Sequence, residues 1–109
     1  MRRLVRDRIP DIFSETGVAS NFHAESKPDA RLALLKGKLV EEAEAVTAAT
    51  EMMAVAEELA DLWEVMNALM IFYKIEEDFV REIRERKARE RGSFSAFYVL
   101  EVPDAANAD

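Results

Sequence analysis

Apolar residues recur through the middle of this 109-residue chain at helical spacing, and the pattern predicts long helices. Leu32, Leu35, Leu39, Ala43 and Val46 mark the inner face of the first. It opens at Ser26-Lys27-Pro28-Asp29, a variant capping box with Asp in place of Glu, and runs to about Thr47. Gly37 inside it costs about 1 kcal/mol relative to Ala, and close helix packing accounts for it better than close approach by a ligand. Thr47-Ala48-Ala49-Thr50 is a tight connection, so the next helix, about Thr50 to Tyr73, is expected to pack antiparallel. That helix carries two stripes. Met52, Ala56, Leu59, Trp63, Met66, Met70 and Tyr73 form one; Val55, Leu62, Val65 and Leu69 form the other. So wide an apolar surface suits a central helix covered on more than one side, with Trp63 in the core. The remaining helices are too few to cover it, which predicts a homodimer with C2 symmetry, or a higher homo-oligomer.

Shorter elements flank this pair. Ile9 to Gly17 reads as a short helix, with Pro10 in its first turn and Gly17 at its C-terminal cap. A strongly charged helix from about Glu76 to Arg91 has Phe79, Val80 and Ile83 as anchors and stops at Gly92. Ser20 to Ala24 and Phe94 to Val102 hold strand-forming residues and predict a short β element. The expected fold is mainly α: an antiparallel helical bundle with a short β element near the termini. One domain is expected over residues 1–103, followed by a polar tail over 104–109.

Composition narrows the chemistry. Half the residues are hydrophobic, enough for a core. The chain has no cysteine, which excludes disulfides and thiolate metal sites, and its one histidine, His23, leaves no second for a zinc site within the chain. There is no apolar run at the start, and the stretch from Val65 to Tyr73, interrupted by Asn67, is too short to span a bilayer. A soluble, cytoplasmic protein with no membrane partner is expected. A net charge of −7 argues against binding a nucleic-acid backbone. The charge is uneven: four Arg fall in the first eight residues, and Arg81 to Arg91 carries six Lys or Arg against three Glu. Basic ends around an acidic middle suit a phosphate–metal ligand better than a duplex.

The acidic middle has a pattern of its own. Glu42 falls on one stripe with Leu35, Leu39 and Val46; Glu58 falls on another with Val55, Leu62, Val65 and Leu69. A carboxylate on an apolar stripe needs a partner or a metal. Two such helices side by side make an oxygen-rich pocket suited to a hard cation such as Mg²⁺. Glu58 and Asp61 share a helix face, as do Glu41 and Glu44. In a chain that is 34% charged such spacings also arise as a solvated face, so the residues alone leave both readings open.

Four segments carry a resemblance. Leu4-Val5-Arg6-Asp7-Arg8-Ile9-Pro10, Lys38-Leu39-Val40-Glu41-Glu42, Glu57-Glu58-Leu59-Ala60-Asp61-Leu62-Trp63-Glu64-Val65 and Lys87-Ala88-Arg89-Glu90-Arg91-Gly92-Ser93-Phe94 span nearly the whole chain. In order and spacing they resemble the small single-domain branch of the all-α nucleoside triphosphate pyrophosphohydrolase superfamily, the MazG-like and phosphoribosyl-ATP pyrophosphohydrolase-like proteins. The resemblance implies a dimerising helical fold. It also implies Mg²⁺-dependent hydrolysis of a nucleoside triphosphate to the monophosphate and diphosphate, with Mn²⁺ as an alternative ion and nucleotide-pool house-cleaning as a role. The family's ligand positions fall on Glu42, residue 45, Glu58 and Asp61, with Glu42, Glu58 and Asp61 as the catalytic set. Residue 45 is Ala45, where the family has Glu; Glu41, one turn earlier, is the candidate substitute in the metal set. A rearranged ligand set, weakened metal binding and lost activity are the three consequences open at this point. A nucleotide-binding homologue without turnover and a purely structural helical bundle are the rival readings.

Other basic and aromatic residues divide between roles. Lys38 either contacts phosphate or neutralises Glu41 and Glu42. Lys87 and Arg91 continue the row of Ile83; the resemblance favours phosphate contact over ion pairing with Glu82 and Glu85. Arg6 and Arg8 with Asp7 read as an N-terminal clasp rather than substrate contacts. Glu64 is a general base or, more simply, a solvated residue.

Overall fold

The structure, a computed structural model, describes residues 2–17 and 21–101. Those residues form α1 (Ile9–Thr16), α2 (Pro28–Ala48), α3 (Met52–Tyr73) and α4 (Glu77–Arg91). The chain divides into two compact units, Met1–Lys74 and Ile75–Asp109. Residues 104–109, expected as a tail, lie outside the described residues.

The first unit is built on the α2–α3 hairpin, the one helix pair with extensive packing among the described residues. Ala49 to Glu51 connect the two helices, and so short a link returns α3 antiparallel along α2. The facing stripes are Leu32, Leu35, Leu39 and Val46 on α2 and Val55, Leu62, Val65 and Leu69 on α3, all wholly or partly shielded from solvent. Ala43, expected on the inner face, is exposed.

The other stripe of α3 points outward. Met52, Leu59, Trp63, Met66 and Tyr73 are exposed, Trp63 to 64%. The expectation that Trp63 belongs to the core is therefore corrected for the single chain. Residues 52, 56, 59, 63, 66, 70 and 73 are spaced alternately four and three apart, a spacing that suits packing against another helix. Only Val65 and Glu42 are buried among the described residues, so the hairpin core is thin.

Local signals place the helix ends. Gly17 adopts φ 75°, the left-handed conformation that lets its N–H reach the carbonyls of Phe13 and Ser14 and close α1. At the start of α2 the capping box does not form. Lys27 is the N-cap without a side-chain bond, and the Glu25 carboxylate accepts the N–H groups of Ser26 and Lys27 instead. A carboxylate accepts more strongly than the Ser26 hydroxyl and also suits the helix dipole. Gly37 has nothing within 4 Å of where a Cβ would stand, so close helix packing is not its reason within this chain.

In the second unit, α4 opens on Glu77 and Asp78, both paired with Arg81, at 2.9 and 2.5 Å, and closes at Gly92. The expected β element is absent among the described residues: 21–24 and 94–101 contain no strand. Phe97 has φ 55°, which breaks an extended run, and Phe94, Phe97, Tyr98 and Val99 are all exposed. Strand-forming side chains without a partner edge and a surface to pack on do not make a strand. No described helix is long and apolar enough to cross a membrane.

Candidate metal centre

The hairpin register brings the acidic motifs together. Glu42 stands six residues before the last residue of α2, and Glu58 six residues after the first of α3. An antiparallel return therefore sets them opposite each other, inside the seam of Leu39, Val46, Val55 and Leu62. Asp61, three residues beyond Glu58, falls on the same face. Glu42, Glu58 and Asp61 each offer a carboxylate oxygen within 4.8 Å of the others.

Their surroundings differ. Glu42 is only 7% exposed and is held by Lys38, whose Nζ lies 3.2 Å from its Oε1. The same ammonium lies 3.4 Å from Glu41 Oε1. Arg6 places Nη2 2.6 Å from Asp61 Oδ1. Among the described residues no cation pairs with Glu58. Its carboxyl is pushed above the ordinary range, first by loss of hydration, then by the charges of Asp61 and Glu42 and by a hydrogen bond to Glu42.

This shift sets a pH dependence. A carboxyl that holds its proton more tightly when folded contributes stability below its ordinary value of 4.5. That contribution is lost as pH rises through the folded value, where the unpaired charge must form beside two others. In chelator, Glu58→Gln is expected to melt above the wild type at neutral pH, with the difference closing below pH 4.5. Thermal melts across that range decide it; a difference independent of pH would point to packing rather than charge. Divalent cation should reverse the order, since only the wild type has the full donor set.

The donor set fits a hard divalent ion. All three groups are carboxylates, with no histidine or thiolate among them. Oxygens on one small octahedral cation lie about 2.9 Å apart when cis and about 4.2 Å apart when trans, so three donors within 4.8 Å of one another must draw closer to share an ion.

The remaining candidates lie elsewhere. Glu41 stands outside the group and takes Arg3 at 2.6 Å as well as Lys38. Ala45 contributes no donor, and Glu44 and Glu64 are exposed. Lys87 and Arg91 are exposed on α4, in the second unit, and neither pairs with Glu82 or Glu85 among the described residues. The clasp uses partly different residues from those expected: Arg2 pairs with Glu25, Arg3 with Glu41 and Arg6 with Asp61, while Arg8 and Asp7 make no ion pair among the described residues. Each arginine reaches a different acidic residue of the first unit, and nothing in the local sequence encodes those choices.

Comparison of the chain with family models, with curated proteins and with solved structures returned no match.

Proposed function

We propose that this protein is a Mg²⁺-dependent nucleoside triphosphate pyrophosphohydrolase, converting a nucleoside triphosphate and water to the monophosphate and diphosphate. The observation that carries the reading is the convergence of Glu42, Glu58 and Asp61 across the α2–α3 hairpin. Two of these carboxylates occupy seam positions where leucine would pack better, and Glu58 lacks a cationic partner among the described residues. Proteins keep such unfavourable placements chiefly where a site requires them. The four motifs point to the reaction class only through a resemblance, since their order is similar to that of a family that uses such carboxylates on triphosphates.

In this reading Glu42, Glu58 and Asp61 would hold the ion, and Lys38 would fix Glu42 and add positive charge beside the phosphates. A bound Mg²⁺ would polarise the phosphoryl group and lower the pKa of a coordinated water. The chain's own contribution is mainly position and charge, as phosphoryl transfer requires. The outward stripe of α3 belongs to the same proposal as the interface of a homodimer.

A nucleotide-binding protein with weak turnover is the second reading. It is favoured by Ala45, which offers no carboxylate, and by Glu41, which is engaged by Arg3 and Lys38 instead of replacing it. One experiment separates the two. Pyrophosphate release is measured across standard and modified nucleotides with Mg²⁺, with Mn²⁺ and with chelator. Release only with the cation supports the hydrolase. Cation-dependent nucleotide binding in calorimetry without release supports the binder. Neither binding nor release would leave a structural bundle with a solvated acidic face.

A further inference from the structure

The N-terminal arm, residues 2–8, belongs to the first unit and pairs three of its arginines with acidic residues there. Arg2 and Arg3 pair with Glu25 and Glu41, neither of which belongs to the acidic cluster. Arg6 alone of the arm reaches a member of it, with Nη2 2.6 Å from Asp61 Oδ1. The pair is open to water: 57% of the Arg6 side chain and 41% of Asp61 remain exposed. Exposed pairs of this kind contribute little stability and exchange partners readily. Lys38 is the contrast, with its side chain only 15% exposed and committed to Glu41 and Glu42.

Counting charge shows what Arg6 does once the cluster holds an ion. Glu42, Glu58 and Asp61 contribute three negative charges, against which stand Lys38 on Glu42 and Arg6 on Asp61. With a divalent cation shared among the carboxylates, Lys38 and the ion together already neutralise them. The Arg6 guanidinium is then a surplus positive charge beside the ion, on a carboxylate whose charge the ion has drawn off. A triphosphate on the same ion presents new anionic oxygens, and the planar fork of a guanidinium matches a phosphate through two hydrogen bonds.

We infer that Arg6 is a phosphate-binding residue of this site: it rests on Asp61 and transfers its guanidinium to the non-bridging oxygens of the metal-bound triphosphate. The inference rests on the pyrophosphohydrolase reading and adds a residue to it. It makes the arm a sensor of the phosphate as well as a clasp, because Arg6 leaves Asp61 only when a better anion arrives.

Two affinities of Arg6→Ala test it, each measured on the full chain against the wild type. The first is for Mn²⁺ alone, read from the electron paramagnetic resonance signal of the free ion. The second is for Mn²⁺ with inorganic tripolyphosphate, read by calorimetry, so that no choice of base is needed. Losing the competitor for Asp61 should tighten Mn²⁺ alone by about two- to fivefold. Losing the phosphate contact should weaken Mn²⁺–tripolyphosphate by about ten- to a hundredfold. Arg6→Lys, which keeps the charge without the fork, should recover part of the second loss. A merely structural clasp would weaken both affinities together, and that result, or no change in either, overturns the assignment of Arg6 while leaving the metal site standing. A wild type that binds neither probe overturns the pyrophosphohydrolase reading and this inference with it.

Discussion

Asp61→Asn should lower cation-dependent pyrophosphate release by roughly 10²-fold or more while leaving the hairpin folded. The substitution keeps the size and shape of the side chain and removes one of three converging charges. Asp61 is partly exposed and its ion pair with Arg6 is open to water, so the fold has little to lose. The site has much to lose: a neutral amide oxygen brings no charge to a divalent ion, and Arg6 is left without its carboxylate. The variant carries its own control. Asp61 is the charge that contributes most to raising the Glu58 carboxyl, after loss of hydration. In the variant Glu58 should therefore titrate closer to its ordinary value, which carbon NMR of the side-chain carboxyl reports directly. Activity lost with Glu58 shifted downward places the defect at the cluster. Activity unchanged, with Glu58 shifted as expected, would remove the metal from the mechanism.

The sequence makes the cluster legible because its physics is local. Helical period puts Glu42 in phase with Leu35 and Leu39, and Glu58 in phase with Val55 and Leu62, and a three-residue connection sets the two seams face to face. Asp61 follows from one more helical turn. Choosing between the two stripes of α3 needs more than period. Both repeat at intervals of three and four, and the stripe containing Trp63 is the more apolar, so pattern alone favours burying it. In the chain the stripe that packs is the one interrupted by Glu58, because α2 has a single seam and that seam carries Glu42. The partner of α3 decides which face is inside, and a partner is not a property of α3's own residues. The same limit applies to the arm. Four arginines in eight residues announce contact with acidic groups, but the pairing of Arg6 with Asp61 spans fifty-five positions. The residues from Phe94 to Leu100 show the limit from the other side: they have the composition of a strand and none of its hydrogen-bonding neighbours.

Trp63→Asp should convert the proposed dimer into a monomer, raising its dissociation constant by roughly 10²-fold or more. Met52, Leu59, Trp63, Met66 and Tyr73 are exposed along one side of a twenty-two-residue helix, and Met70 is half-buried among them. A second copy of the chain is the occupant the spacing of the stripe favours. The four-three spacing is a helix-packing seam, and a twofold axis lays this seam on its own duplicate without needing a different surface. The thin core argues the same way, since Val65 is the one buried apolar residue among those described and a second α3 would add a seam's worth of burial. Trp63 lies at the middle of the stripe, where a large aromatic contributes most to an interface. Placing a charge there puts two carboxylates across the axis, so repulsion adds to lost packing. Glu57→Ala, a neighbouring exposed position off the stripe, is the control and should leave assembly unchanged. Sedimentation velocity over a concentration series reads the result. The wild type should also melt at a temperature that rises with protein concentration, as it must when association stabilises the folded state. A wild type that sediments as a monomer throughout that series, with a melting temperature independent of concentration, would leave the α3 stripe without this partner.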